Sequence, residues 1–317
     1  MKRFLKIVLW ILIPIFVLLA AAWIGVTVKY WDFFSLTKTE FSVPGLVHGI
    51  VPQGFYYLED EDVFLMSGYM ADESASRIYV RTASGKTHYV NLQNEDGTPY
   101  TRHCGGVCAN GKFVYIAGKT GLDVFLLSDV LERKTAVRQG VVETGFRVSF
   151  CDFANGHLMA GNFYYPETYE TPEEHRFLTP AGDQNYGVVA IFRESAAWEF
   201  GVDSTAVAAL SIPEKVQGIA VLDRERVVLS TSYSLKSSQL FIHKLNTERP
   251  DQILINGAPV PLYFLDSSTL QQTMTLPPMS EEMAVKDGRV YVLFESACSK
   301  YFFGNFIRGR KVYSFVP

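Results

Sequence analysis

Helical periodicity, clustered positive charge and cysteine are all scarce in this chain. Beyond residue 40 no stretch has the apolar spacing of a convincing amphipathic helix; the nearest, "SDVLERKTAV", reads as a loop turn. That leaves the all-β plans. Lysine and arginine form no run that would track a phosphate backbone, so nucleic acid is not expected as a partner. The four cysteines, Cys104, Cys108, Cys151 and Cys298, are too sparse for a disulfide scaffold, and a chain of 317 residues can bury a core without one. With 48% hydrophobic and 20% charged residues, the composition is that of a globular protein.

One long uncharged run is present. Lys2, Arg3 and Lys6 precede "IVLWILIPIFVLLAAAWIGVTV", residues 7–28. As a helix this run reaches about 33 Å, enough for the hydrocarbon core of a bilayer. A cleaved signal peptide is the rival reading, since "LLAAAW" offers small residues. The apolar run continues past those alanines, and signal cores usually span only about 7–15 residues. We therefore expect residues 1–6 as a cytoplasmic stub, 7–28 as an uncleaved transmembrane anchor and 29–36 as a linker, with the rest extracytoplasmic at the cell membrane. Trp23, Tyr30 and Trp31 are expected as aromatic anchors at the outer interface. Without Lys2, Arg3, Lys6 and Lys29, 25 of the 29 Lys and Arg remain against 33 Asp and Glu, so the outward part carries a net charge of −8.

The outward part is repetitive. Five segments share a small or polar start, an alternating strand, a tight polar turn and a strongly apolar strand. They begin at Gln53 ("QGFYYLEDEDVFLMSGY"), His103 ("HCGGVCANGKFVYIAGK"), Ser149 ("SFCDFANGHLMAGNFY"), Gln217 ("QGIAVLDRERVVLSTSY") and Glu281 ("EEMAVKDGRVYVLFES"). The turns "ANGK", "ANGH" and "KDGR" are strong hairpin signals, because Asn-Gly and Asp-Gly tolerate positive φ. Third strands follow ("SRIYVRT", "LDVFLLS", "GVVAIFRE", "QLFIHKL", "KVYSFVP"), and the first four repeats add a fourth, such as "KTHYVNL". The last repeat lacks one. "TKTEFSVPGL", residues 37–46, has the matching apolar-then-proline ending and is expected to complete it, leaving no open edge.

Four-stranded repeats of this kind resemble the β-propeller superfold. No WD dipeptide or kelch glycine pair recurs, so no specific family is indicated. The expectation is an all-β, five-bladed propeller over residues 37–317, with blades starting near 53, 103, 149, 217 and 281. Five-bladed rings are similar in architecture to some glycosidases and lectins, but a superfold does not transfer chemistry.

The resemblance implies where function would sit. Blade starts ring one mouth of the axial channel, which would gather Gln53, His103, Ser149, Gln217 and Glu281, with Asp152 and Glu282 beside them. The ends of the second strands add Tyr69, Lys119, Tyr164, Tyr233 and Ser296, the tyrosines offering flat faces and hydroxyls. The insertions "YYPETYETPEEHRFLTPAGDQNYG" and "ACSKYFFGNFIRGR" lie on the same rim, and loops of that length are usually functional or mobile. We expect this face to bind a glycan, peptide or small polar molecule of the envelope, or a protein partner. The plainer alternative is that the polar residues satisfy backbone groups around a water-filled channel and the tyrosines are packing residues.

Catalysis is the other class. His103 with Glu281, Glu282 or Asp152 would serve a hydrolase or lyase, Asp152 with Glu281 being the pair for glycoside hydrolysis. Ser149 sits in "RVSFCDF", which is not a nucleophile elbow. No cofactor is implied. No metal is expected either: on an extended strand Cys104 and Cys108 would lie about 13 Å apart, too far to share an ion or a disulfide. Cys104 and Cys151, on neighbouring inner strands, are a possible pair, with buried thiols as the alternative.

Overall fold

The computed structural model describes residues 2–248 and 250–317, with side chains for all of these except 2–9, 302 and 303. Helix α1, Lys2–Lys29, is followed at once by the short helix α2, Trp31–Leu36. The segment Trp10–Lys29 is apolar and long enough to cross a membrane, as an anchor or a signal sequence, and none of its hydrophobic window is buried in protein. Met1 and the side chains of Lys2, Arg3 and Lys6, which carry the charge asymmetry, lie outside the described residues.

The linker expected at 29–36 is structured. Tyr30 and Phe33 are buried, and the Phe33 ring packs edge-on to Phe294 (6.0 Å) and Tyr313 (5.3 Å). Tyr30 is thus a core residue and not the lipid-facing anchor its sequence position suggested; Trp23 and Trp31 remain exposed.

The strands after residue 37 group into four-stranded antiparallel sheets. The first is Ile50–Leu58, Val63–Met70, Arg77–Thr82 and Thr87–Gln93; the second is Val107–Ala109, Phe113–Ala117, Gly121–Leu126 and Thr135–Glu143. The third runs Phe150–Ala154, His157–Gly161, Gly187–Arg193 and Ala208–Ile212, and the fourth Val216–Val221, Arg226–Thr231, Ser238–Lys244 and Leu270–Leu276. In the last, Ser280–Lys286, Arg289–Phe294 and Lys311–Phe315 are joined by Lys38–Ser42, whose Lys38 lies opposite Ser314 and Ser42 opposite Lys311.

Inner strands pack against one another: Ile50–Leu58 touches Val107–Ala109 and Ser280–Lys286, and Phe150–Ala154 bridges Val107–Ala109 to Val216–Val221. Sheets radiating from a shared axis in this way make a β-propeller. Hairpins form where the sequence offers paired positive-φ residues, as at Asn155–Gly156 and Asp287–Gly288. Outer edges are covered. Thr87–Gln93 pairs in parallel with Thr135–Glu143, and an extra hairpin, Asp251–Ile255 with Ala258–Phe264, lays its second strand parallel to Ala208–Ile212.

The sequence reading misses that hairpin. It also misreads "SDVLERKTAV", where Leu127–Glu132 forms a short helix before the strand from Thr135 begins. A further correction concerns Cys104. It has φ = +56° and precedes the strand that starts at Val107, so the extended-chain spacing assumed for Cys104 and Cys108 does not exist. The two thiols instead enter different core clusters, Cys104 beside Tyr100 and Val107, Cys108 beside Tyr115 and Cys151. All four cysteines are buried free thiols, including Cys104 and Cys151; burial pushes Cys104 up to about 12 and Cys108 up to about 11.

Candidate functional site

A cavity of about 950 Å³ opens at the face where the inner strands begin. Gln53, His103, Ser149 and Gln217 all line it, because equivalent positions of adjacent sheets converge on the axis. From the second-strand ends Tyr69, Lys119 and Tyr233 join them. Both long insertions reach the same space, the first through Phe163, Tyr169 and Glu170, the second through Lys300 and Tyr301.

Five expected residues do not line this cavity, the buried Ser296 among them. Tyr164 is buried in the base of its insertion, stacked on Tyr186 (4.5 Å, 8°) with the Arg176 guanidinium over the ring (5.1 Å). Its neighbour Phe163 faces the cavity instead. Glu281, Glu282 and Asp152 are buried. Glu282 crosses between sheets: its Oε2 accepts the backbone N–H of Phe55 (2.9 Å) and of Val107 (3.0 Å), and its Oε1 accepts that of Cys151 (2.7 Å). Three inner strands would otherwise present unpaired N–H groups to the axis, and one carboxyl group satisfies a donor from each, burial raising it well above the ordinary carboxyl range against the pull of those bonds. Gly106 is required beside it, since a Cβ there would lie 2.4 Å from Glu282 Oε1. Asp152 Oδ2 does similar work for the N–H of Val221 (3.1 Å). Burial raises the Asp152 carboxyl to about 7, against the pull of the N–H bonds.

Two acids do reach the cavity, Glu170 and Glu295, and Glu295 is the more buried of them. Glu295 accepts a hydrogen bond from Gln53 Nε2 (2.8 Å), while burial drives its carboxyl up to about 7, opposed by Gln53 and Lys300. Glu281 lies close enough for burial and repulsion from Glu295 and Glu282 to push its carboxyl well above the ordinary range. Between them, these two glutamates therefore retain protons near neutrality.

His103 is accessible from the cavity yet hemmed in by protein, and its ring stacks on Tyr69 (4.8 Å, 26°). That enclosure, with Arg147 and Lys300 nearby, lowers its pKa to about 4, so it is a neutral imidazole at pH 7. Lys300 Nζ donates to Tyr69 Oη (2.8 Å). Aromatic rings form one wall: Tyr233 stacks on Tyr165 (3.6 Å), and Phe163 meets Tyr169 edge-on (5.5 Å).

The charge lining is inverted relative to the domain. Arg102, Lys119, Arg147 and Lys300 face Glu170 and Glu295 only. Arg102 is tied to the buried Asp123 (2.7 Å) and Glu170 to Arg176 (2.5 Å). Lys119 and Arg147 make no hydrogen bond or ion pair with any described residue. Sequence reasoning missed Arg147 and Glu295. Arg147 stands two residues before the expected Ser149 and Glu295 one residue before Ser296, in loop segments just outside the strands that the repeat aligned. Among the described residues no three of His, Cys, Asp and Glu are grouped to hold a metal ion.

No family model matches the chain, and no curated protein matches its sequence. Among solved structures it is similar to glutaminyl cyclase of Myxococcus xanthus, at 10% identity and a TM-score of 0.41 over 81% of this chain and 90% of that one. A gluconolactonase from Xanthomonas campestris matches at 10% identity and a TM-score of 0.41, over 85% of this chain and 87% of that one. The WD40 β-propeller domain of Doa1 does so at 10% and 0.38, over 88% and 96%. Likeness at this level carries no chemistry across.

Proposed function

We propose that the chain is a single-pass, membrane-anchored protein, N-terminus inside, whose extracytoplasmic domain is a five-bladed ring closed by Lys38–Ser42, and that its cavity binds a small anionic polar ligand with a flat or ring-shaped face. One observation carries the reading. In an outward part with a net charge of −8, two cations without partners, Lys119 and Arg147, face the cavity beside a wall of aromatic rings. Unpartnered cations favour carboxylate, phosphate or sulfate groups, and aromatic faces favour sugar rings and other planar groups. Acidic glycans and sugar acids fit both.

The test is a binding screen on the full chain in detergent, pairing each acidic sugar or phosphomonoester with its neutral counterpart. The acidic member of each pair should bind more tightly, and a Lys119→Glu/Arg147→Glu variant should lose that preference. Preference for neutral sugars, or acidic binding unchanged in the variant, would sink the proposal.

Acid–base catalysis on the bound ligand is the second reading. Glu295 favours it, as a carboxyl with a pKa of about 7 lining the same cavity as the neutral imidazole of His103. Turnover of a bound ligand that disappears in Glu295→Gln while binding persists would select this reading; binding with no turnover would select the first.

A further inference from the structure

We propose that the cavity opens onto the outer surface of the bilayer, and that its anionic ligand is the headgroup of a membrane amphiphile. This rests on the preceding reading of helix and cavity and adds the source of the ligand.

The argument begins with where the helix leaves the propeller. The loops at 232–237 and 295–310 join second to third strands on the cavity face, and Tyr233, Lys300 and Tyr301 within them line the cavity. Helix α1 ends against these two loops. Tyr30 Oη shares a hydrogen bond with Ser237 Oγ (3.0 Å). The Arg308 guanidinium donates to Thr27 Oγ1 (3.0 Å) and lies over the rings of Trp23 (4.4 Å) and Phe34 (4.5 Å). Past this point α2 descends between the last two sheets, since Lys38 pairs with Ser314 far from the cavity face and the strand climbs back until Ser42 meets Lys311. Helix α1 therefore projects from the same face as the cavity mouth: its last turns touch the domain through Trp23, Val26 and Thr27, while residues 10–19 are exposed.

Depth follows from the contacts. Trp23 to Lys29 covers about 9 Å of helix, so a loop that touches both Trp23 and Thr27 lies at the level of the headgroups when α1 spans the membrane. The loop is fixed there. A Cβ on Gly304 would lie 1.6 Å from the Ser296 carbonyl oxygen, and one on Gly309 would lie 2.1 Å from Ser296 Oγ. Two apolar tips flank the anchor on the cavity face: Leu235, 61% exposed and two residues from Ser237, and Val47, 79% exposed, in the loop entering the first sheet. Lys29, Lys236, Arg308 and Arg310 surround the same junction, and cations near an anionic bilayer surface contribute about 1 kcal/mol each. The opposite face presents Trp198, in the loop between Gly187–Arg193 and Ala208–Ile212. Lys300 belongs both to the loop held on the anchor and to the cavity wall, so a headgroup drawn out of the leaflet beside α1 would meet it first.

Spin labels on the full chain in vesicles of phosphatidylcholine with phosphatidylglycerol test the orientation. Labels at Val47→Cys and Leu235→Cys should collide with oxygen and be shielded from a water-soluble nickel complex, while Trp198→Cys should show the reverse. Equal nickel access at all three sites would overturn the proposal and leave the proposed binding function intact. Native mass spectrometry tests the ligand source. Phosphatidylglycerol should be retained about tenfold better than phosphatidylcholine, and Lys119→Glu/Arg147→Glu should abolish the difference. Free glycerol phosphate binding as tightly as the lipid would make the source soluble and overturn the inference. Loss of lipid selectivity together with failure of every acidic ligand to bind would instead remove the binding function itself.

Discussion

Glu282, within the inner strand Ser280–Lys286, and Glu295, just past the end of the neighbouring strand Arg289–Phe294, have different fates. Glu282 is buried at the axis, where N–H donors from three other inner strands converge on its carboxyl group. Glu295 stands at the cavity wall with Gln53 as a neighbour and holds a proton near neutrality. The same side chain is structural where it meets converging backbone donors and chemically available where it meets a cavity. What separates the axis from the mouth is therefore the supply of backbone donors.

The comparison can be broken most forcefully at the axis. Glu282→Ala leaves three buried N–H groups without an acceptor, each costing about 1–3 kcal/mol, so denaturant unfolding should show a loss of about 3 kcal/mol or more. A loss below about 1 kcal/mol would mean that the inner strands do not depend on this carboxyl group.

At the mouth, Lys119→Glu/Arg147→Glu should act in the reverse sense. Stability should change by no more than about 1 kcal/mol, because neither cation has a protein partner, while affinity for an acidic ligand falls about tenfold or more. Calorimetry on the same samples reads both quantities.

Glu295 sharpens the contrast through pH. Its folded pKa is raised from the ordinary 4.5 to about 7, so the folded state binds the proton more tightly than the unfolded chain does. Its contribution to stability is full below about 4.5 and is lost as pH rises through 7. His175 and His243 work in the opposite direction. Burial lowers each to about 4, so they destabilise the fold as pH falls from 6.5 toward 4. Subtracting the Glu295→Gln profile of Tm against pH from that of the parent should isolate a decline between about pH 4.5 and 7. A flat difference would show that Glu295 is not held protonated.

The smallest effect is expected at Tyr164→Phe. Its ring stays stacked on Tyr186 and its hydroxyl does not line the cavity, so ligand affinity should be unchanged. Tyr233→Ala, one aromatic position further into the site, should weaken binding of a ring-bearing ligand by a few-fold, corresponding to about 0.5–1.5 kcal/mol.

Much of the site was legible in the repeat. Aligning strand starts was enough to bring Gln53, His103, Ser149 and Gln217 to one cavity, because equivalent positions in radiating sheets must converge. It failed by single residues. Phe163 faces the cavity where Tyr164 was expected, and Glu295 where Ser296 was, because these positions lie past the strand ends at Gly161 and Phe294, where the loop sets the side-chain direction and the repeat alignment does not. At Glu281 and Glu282 the cause is a bulge. The pairing jumps from Ser280–Phe294 to Met283–Val292, so Glu281 and Glu282 together oppose Leu293 alone; one extra residue interrupts the alternation, and both glutamates are buried.

The amino-acid sequence by itself determined the apolar N-terminal helix, the short strands, their Asn-Gly and Asp-Gly turns and the net charge of the chain beyond residue 29, since all of these depend on local composition and periodicity. Only the tertiary structure decided that Glu282 accepts bonds from three distant strands and that Lys119 and Arg147 are left without partners. It alone decided that α1 emerges beside the cavity mouth. Those outcomes depend on which backbone groups and loops converge in space from positions as far apart as Thr27 and Arg308, and no local pattern encodes that meeting.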